Sequence, residues 1–388
     1  MSFYKKLAQR IQFNRNEFSG SFGDIGTDFP LITGMILTCG LDVTSSLFMY
    51  GAMNILTGLV YGIPMPVQPL KMMAVIMITQ KLGGNILYGA GLAIGVIMLF
   101  LSSSGLITWI TKVIPKSVVR GIQFGLGLQL AQLAFKEYIP AEGTGGYILA
   151  AIGFIFIISL LGNKKFPPAP FVVLSGIVYA LLFKTNLHTV AGSFHITWPK
   201  PHVPNPADIL TGFVMLALPQ IPLSLSNSIL ATRQTVNDFF PGKPITVRKI
   251  GLTYSLMNLI SPFFSGIPVC HGSGGMAGHY TFGARTGGSI VIYGFFYLVL
   301  GLFFSQGFAQ IIYLFPKPIL GIILVFEGWA LMRLIKDLKE SDAQLSVTLL
   351  VGLMAVGLPY GYLVGMIVGT LLNFFINKKW ALKHYKTG

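Results

Sequence analysis

Residues 62–71 read GIPMPVQPLK and residues 266–275 read GIPVCHGSGG, so one short motif is written twice in the chain. Gly62-Ile63-Pro64 recurs 204 residues on as Gly266-Ile267-Pro268, and Met72 recurs as Met276. Both copies are Pro- and Gly-rich interruptions of otherwise apolar sequence. Broken segments in corresponding positions of the two halves of a hydrophobic chain point to a transporter with its site between the breaks.

The surrounding composition agrees. Of 388 residues 53% are hydrophobic and 10% charged, with mean hydropathy +0.71. Soluble domains carry about 25% charged residues, so the chain is expected to be an integral membrane protein with no separate soluble domain. The net charge of +15 would suggest nucleic acid on a soluble protein; here it is assigned to loops on the cytoplasmic side, and no nucleic-acid partner is expected. Cys39 and Cys270 lie far apart in apolar or Gly-rich sequence, and neither a CxxC nor a Cys/His zinc spacing occurs, so no disulfide, metal or cofactor is expected. The N-terminal MSFYKKLAQRIQFNRNEF lacks a cleavable signal pattern and reads as a cytoplasmic lead-in.

A spanning helix needs roughly 20 apolar residues. Fourteen segments follow one another from 20–38 to 359–377. The third, 66–80, and the tenth, 271–282, are too short to cross alone. Each follows a proline-containing break and reads as a half-helix preceded by extended chain, which is tolerated at membrane depth only where protein or a polar cavity satisfies it. With the N-terminus inside, 21 of the 27 Lys and Arg fall on one face. The inside loops hold Lys112, Lys116, Arg120, Lys164, Lys165, Arg233, Lys243, Arg248, Lys249, Arg285, Arg333, Lys336 and Lys339. The termini add Lys5, Lys6, Arg10, Arg15, Lys378, Lys379, Lys383 and Lys386. Both termini are therefore expected to be cytoplasmic.

The polar, Pro-rich stretch near mid-chain divides seven spans from seven. The expected organisation is a lead-in at 1–19, a first repeat at 20–184, an extracytoplasmic linker at 185–206, a second repeat at 207–377 and a cytoplasmic tail at 378–388. An odd number of spans per half inverts the second half relative to the first. Further echoes fit: Pro115-Lys116 with Pro316-Lys317, and Gly121-Ile122 with Gly321-Ile322. The fold class read from the chain is an all-α polytopic membrane protein of two inverted repeats of seven, with broken third and tenth segments.

Residues able to carry chemistry cluster at the breaks. In PVCHGSGGMAGHYTFGARTGG (268–288) the run Gly272-Ser273-Gly274-Gly275 opens a helix. Glycines admit a ligand to backbone N–H groups, and a helix N-terminus adds unpaired donors and the positive end of the dipole; Ser273 adds a hydroxyl. The alternative is that the glycines only permit close helix packing. The partner break contributes the Gln68 amide and Lys71, the one basic residue well inside a predicted span. Lys71 either attracts an anion or pairs with a carboxylate. Asp24 and Asp28 share a face of the first span beside Thr27, and Asp24 is the expected partner of Lys71; dipole compensation is the plainer reading of both acids. Glu327 either couples protons or pairs with Arg333. Gln220, Ser224 and Asn227 share a face of the eighth span, where they bind substrate or bridge helices. His271 and His279 flank the tenth helix start. His271 beside Cys270 invites a nucleophile reading, but no third orienting group is visible, and no enzyme is expected.

Four stretches, FGDIGTDFPL (22–31), PMPVQPLK (64–71), LPQIPLSLSNSIL (218–230) and PVCHGSGGMAGHYTFGARTG (268–287), resemble the molybdate transporter family, relatives of the sulfate permeases without their soluble C-terminal domain. The resemblance covers essentially the whole chain. It implies the seven-plus-seven fold of uracil and sulfate permeases. Spans one to four and eight to eleven would form a core domain and the rest a gate domain, often the dimer contact, so a homodimer is implied. Substrate would sit between the third and tenth half-helices, and the activity would be molybdate uptake. Nucleobase carriers of that fold are expected to use carboxylates on the eighth or tenth spans; here the one acid in those spans is Asp208, at the very start of the eighth, and the breaks offer donors, which suit an acceptor-only dianion. The expected function is thus secondary-active uptake of a tetrahedral oxyanion, most simply molybdate, by cation-coupled alternating access at an inner or cell membrane. A sulfate or other oxyanion carrier and an anion channel are the alternatives.

Overall fold

The computed structural model describes residues 10–163, 165–183, 194–308, 312, 316–338 and 341–385. The lead-in residues 1–9, the loop charges Lys164, Lys184, Lys339 and Lys386, and the 185–193 part of the linker lie outside the described residues.

Each of the fourteen segments read from the sequence carries a helix. A short α1 (Arg15–Gly20) precedes α2 (Ile25–Cys39), α3 (Val43–Tyr61), α4 (Lys71–Gln80) and α5 (Gly84–Ser103), which α6 (Leu106–Val113) extends. Next come α7 (Lys116–Leu133), α8 (Gly143–Leu160) and α9 (Pro168–Phe183). The second half opens with α10 (Pro206–Gly212), α11 (Leu218–Leu223) and α12 (Thr232–Phe239), joined by π-helical turns at Phe213–Ala217 and Ser224–Ala231 into one span of 34 residues. It continues through α13 (Val247–Ile260), α14 (Ser273–Thr281), α15 (Gly288–Phe303), α16 (Lys317–Met332), α17 (Asp342–Gly357) and α18 (Gly361–Tyr385). Several boundaries differ from the sequence reading; the last helix runs to Tyr385 rather than 377, through most of the stretch read as a tail, and α5 ends at Ser103 rather than 109. The eighth span runs past residue 231 because its last turns, TRQTVNDF, are polar and escape an apolar count. The first span begins at Ile25, because the chain turns through residues 21–24 between α1 and α2.

α4 and α14 have 10 and 9 residues, about half of the 30 Å hydrocarbon thickness at 1.5 Å per residue. The chain before each is extended, and its backbone is satisfied by side chains from the preceding helix. Asn54 Oδ1 accepts the Val67 N–H at 3.1 Å, and Thr57 Oγ1 donates to the Met65 carbonyl at 3.1 Å. In the other half Asn258 Oδ1 accepts the Val269 N–H at 2.9 Å, and Ser261 Oγ donates to the Ile267 carbonyl at 3.1 Å. The asparagines do here what water does at the surface of a soluble protein.

The two extended pieces meet as antiparallel strands, β1 (Gln68–Pro69) and β2 (Val269–Cys270), pairing Gln68 with Cys270 and Pro69 with Val269. Val67 and Val269 hold the same bond to equivalent asparagines, so Cys270 is the repeat mate of Gln68. A residue opposite its own mate marks a two-fold axis, and the inverted halves cross there. The repeat spacing is 204 at the GIP motif but 202 here, since Met65-Pro66 has no counterpart after Pro268. The structural mate of Met72 is therefore Gly274 rather than Met276, and that of Lys71 is Ser273, each the first residue of its half-helix.

Packing divides the molecule into core and gate. α3 lies along α15, and α5 along α13 and α10, around the paired breaks; α7, α16, α17 and α18 pack with one another, and α8 packs on α9 and α16. α14 touches α16 across the boundary, which places the second half-helix at the junction of the two bodies.

Candidate functional site

The site is built where α2, β1, α14 and α16 converge, and Asp24, Gln68, His271, Ser273 and Glu327 are all fully buried there. Asp24 is the N-cap of α2, yet its side chain caps no backbone group. Its two oxygens accept instead from the Gln68 amide nitrogen, at 2.7 and 2.8 Å. The expected Asp24–Lys71 ion pair is absent among the described residues. Lys71 Nζ is buried without a hydrogen-bond partner, within electrostatic reach of Asp24, Asp28 and Glu327. The strand register explains the substitution: the extended chain turns Gln68, three residues before the helix start, onto Asp24.

Asp28, in the first turn of α2, accepts from the hydroxyls of Tyr50 on α3 and Tyr293 on α15. Glu327 accepts from Thr27 Oγ1 at 3.2 Å. It does not reach Arg333, which stacks over the Trp329 ring at 4.4 Å.

The two half-helix N-termini differ. At α4, Gln220 Oε1 accepts the N–H groups of Met72 at 2.9 Å and Met73 at 3.4 Å. Gln220 Nε2 then donates to Ser224, whose hydroxyl bonds Tyr254. Gln220 and Ser224 thus cap α4 and tie it to α13. At α14, Ser273 Oγ donates to Asn227 Oδ1 at 2.8 Å, but among the described residues no acceptor bonds the backbone N–H groups of Ser273, Gly274 or Gly275. Glycine is required at this end because neighbours pack directly on it. A Cβ at Gly272 would strike Gln68 Oε1, one at Gly275 the Asp24 carboxylate, and one at Gly274 would stand 2.5 Å from Glu327 Oε1. His271 is held at both ring nitrogens, by Thr253 Oγ1 at 2.7 Å and the Pro66 carbonyl at 3.0 Å, and joins β2 to α13 and the opposite break.

The residue pattern therefore converges on one open helix end, three free N–H groups and an unpaired lysine, facing carboxyl groups from α2 and α16. Sequence reasoning missed Tyr50, Asn54, Tyr254 and Asn258, which hold the breaks in place. The signal was present: Tyr50-Gly-Ala-Met53-Asn54 recurs as Tyr254-Ser-Leu-Met257-Asn258 at the same 204 spacing as the GIP motif.

Residues 16–130 and 212–331 match the family described as "Molybdate transporter of MFS superfamily". Molybdate transporter 2 of Arabidopsis thaliana is 32% identical over 414 residues, covering 92% of this chain and 87% of its own. The chain belongs to the molybdate transporter family. Molybdate transporter 1 of Chlamydomonas reinhardtii is 24% identical, covering 92% of this chain and 91% of its own. Among solved structures, the murine Solute Carrier 26 family member A9 anion transporter superposes with a TM-score of 0.63 at 14% identity, over 95% of this chain and 69% of that one. The transmembrane domain of the cyanobacterial bicarbonate transporter BicA gives 0.55 at 15%, over 89% and 98%. These likenesses confirm the inverted-repeat fold. This member of the molybdate transporter family has two inverted halves of seven segments, not the pair of six-helix halves that the MFS label denotes. It is a membrane transporter of an anion.

Proposed function

We propose that the protein takes up molybdate as the dianion, bound at the N-terminus of α14, by alternating access of the core against the gate. The observation that carries this reading is the uncapped first turn of α14 set against the capped first turn of α4. Free N–H groups at a helix N-terminus suit an oxyanion, and a tetrahedral dianion, which only accepts hydrogen bonds, suits a site that also holds the unpartnered Lys71 ammonium. The names of the Arabidopsis and Chlamydomonas relatives support molybdate as the oxyanion.

Three carboxyl groups, Asp24, Asp28 and Glu327, stand about this site. Ionised, they repel a dianion, so anion entry favours their neutralisation. Inward movement of negative charge against a negative-inside potential also costs about 2.3 kcal/mol per charge per 100 mV. Both arguments support proton coupling through these acids, with the termini cytoplasmic and the protein in an inner or cell membrane. The homodimer implied by the family resemblance belongs to the same proposal; its check is the mass of the purified particle.

The experiment is labelled molybdate uptake into proteoliposomes with an imposed proton gradient. Saturable uptake that outlasts excess sulfate and collapses with the gradient is expected. Full competition by sulfate would reassign the substrate, large ohmic currents would make it a channel, and uptake indifferent to the gradient would remove proton coupling. Gly274→Val is expected to abolish binding, because its side chain fills the first turn of α14 against Glu327; normal binding by that variant would move the anion elsewhere.

A further inference from the structure

The Gln68 amide stands between Asp24 and the open end of α14. Its nitrogen lies 2.7 and 2.8 Å from the Asp24 oxygens. Its oxygen is buried without a partner and rests against Gly272, the N-cap of α14, where a Cβ would collide with it. An ionised carboxylate only accepts hydrogen bonds, so it dictates this orientation: amide NH2 toward Asp24, amide oxygen toward α14. An oxyanion arriving at α14 then meets a lone pair rather than a proton. A protonated Asp24 becomes a donor, and the same amide satisfies it by turning over. Oε1 accepts from the carboxyl group, and the NH2 swings into the first turn of α14.

We propose that Gln68 is a proton-operated switch, its amide turning over when Asp24 takes up a proton, so that an acceptor in the anion site is replaced by a donor. The inference rests on the reading of α14 as the anion site. The proton enters onto an Asp24 oxygen from the side that supplies the anion. It leaves to solvent on the other side once the anion has gone, and the amide returns to its first orientation. Coupling then needs no contact between proton and cargo, since one planar group reports the first to the second.

The groups around Asp24 decide why it and not a neighbour would work the switch. Asp28 shares its helix, Lys71 comes from α4, Glu327 from α16, Cys270 from β2, Tyr50 from α3, and Tyr293 and Tyr297 from α15. The Lys71 charge opposes a proton on Asp24, and the Asp28 and Glu327 charges favour one. Asp28 is engaged by two tyrosine hydroxyls and Glu327 by Thr27, whereas Asp24 holds both amide hydrogen bonds of Gln68.

The test is equilibrium binding of micromolar molybdate to the full chain in lipid nanodiscs. Between about pH 6 and about pH 8, one proton taken up with the anion makes Kd rise about tenfold per pH unit. Asp24→Asn presents a donor to Oε1 at every pH; it is expected to keep the wild type's acid-side affinity throughout, with the slope gone. Gln68→Met, of equal length without a donor, is expected to bind more weakly at the acid end with a flattened slope. Gln68→Asn, too short to bridge, serves if the methionine variant does not fold. A wild-type slope in Asp24→Asn overturns the assignment of the proton to Asp24. A wild-type slope in Gln68→Met or Gln68→Asn overturns the switch and leaves Asp24 acting through charge alone. Gly274→Val separates the premise: if it binds normally, the anion is not at α14, and the functional reading of that site fails whatever the slopes.

Discussion

Lys71 begins α4 with its ammonium buried and unpartnered. A cation at membrane depth is sustained by anions near it, either fixed carboxylates or a cargo that arrives and leaves. Lys71→Met keeps the length of the side chain and removes the charge. It is expected to weaken oxyanion binding by about 1.5–3 kcal/mol, the worth of a hydrogen bond to a charged group, or about 10- to 150-fold in Kd. Equilibrium binding at fixed pH reads this directly, and an unchanged Kd removes Lys71 from the site. The lysine was legible in the sequence because a charge inside an apolar run stands out. Its neighbour was not. Spacing puts Asp24 and Lys71 on known elements, but the rotation of an extended strand decides which side chain of 68–71 faces the carboxylate. No periodicity encodes that rotation where prolines set the backbone. The same limit applied to Gln220. Its place on one helical face with Ser224 and Asn227 was readable, while its capping of α4 depends on how two distant segments dock.

At the scale of elements, the two breaks depend on the helices before them. Asn54 holds Val67 and Asn258 holds Val269, the latter at both its N–H and its carbonyl. Asn54→Ala or Asn258→Ala leaves buried backbone polar groups unpaired. Each is expected to destabilise the protein by about 1–3 kcal/mol, with the larger loss at Asn258, which satisfies two groups of the same residue. Thermal unfolding in detergent measures it; equal stability to the wild type would mean that the breaks find other partners. The lead-in makes a comparable contribution. Glu17 is buried on α1 and accepts the N–H groups of Arg285, Thr286 and Ser289 at 2.9 to 3.0 Å, fastening α1 to the start of α15. Burial pushes its carboxyl pKa upward, against the backbone donors that lower it. Half-helices were legible because proline and glycine end helices for local reasons. The two-residue change of register between Pro64 and Val67 was not, since only the strand pairing and the equivalent asparagines reveal which residues are mates.

At the scale of the whole molecule, the inverted halves followed from span count and charge bias and the core and gate from the family resemblance, but the bonds that lock one body to the other did not. Arg120, on α7 of the gate, is 1% exposed. It pairs with Asp337, in the turn that follows α16 of the gate, at 2.6 Å, and with Asp238, at the end of α12 of the core, at 2.5 Å. Gln123 accepts from the same guanidinium at 2.9 Å. The Asp337 bond lies within one body and the Asp238 bond crosses between bodies, so the proposed movement of the core would break the second and not the first. Asp238→Asn weakens the crossing bond while Arg120 keeps a carboxylate partner, which avoids stranding a buried charge. A loss of about 1.4 kcal/mol there shifts the ratio of joined to parted conformations about tenfold. Spin labels on exposed positions of α7 and α12 would read that shift as a longer or broader distance distribution in Asp238→Asn. Asp337→Asn, which loosens a bond inside the gate, is expected to leave the distribution as in the wild type. Equal broadening in both variants would mean that Arg120 holds local structure only, and that the boundary between the moving bodies lies elsewhere.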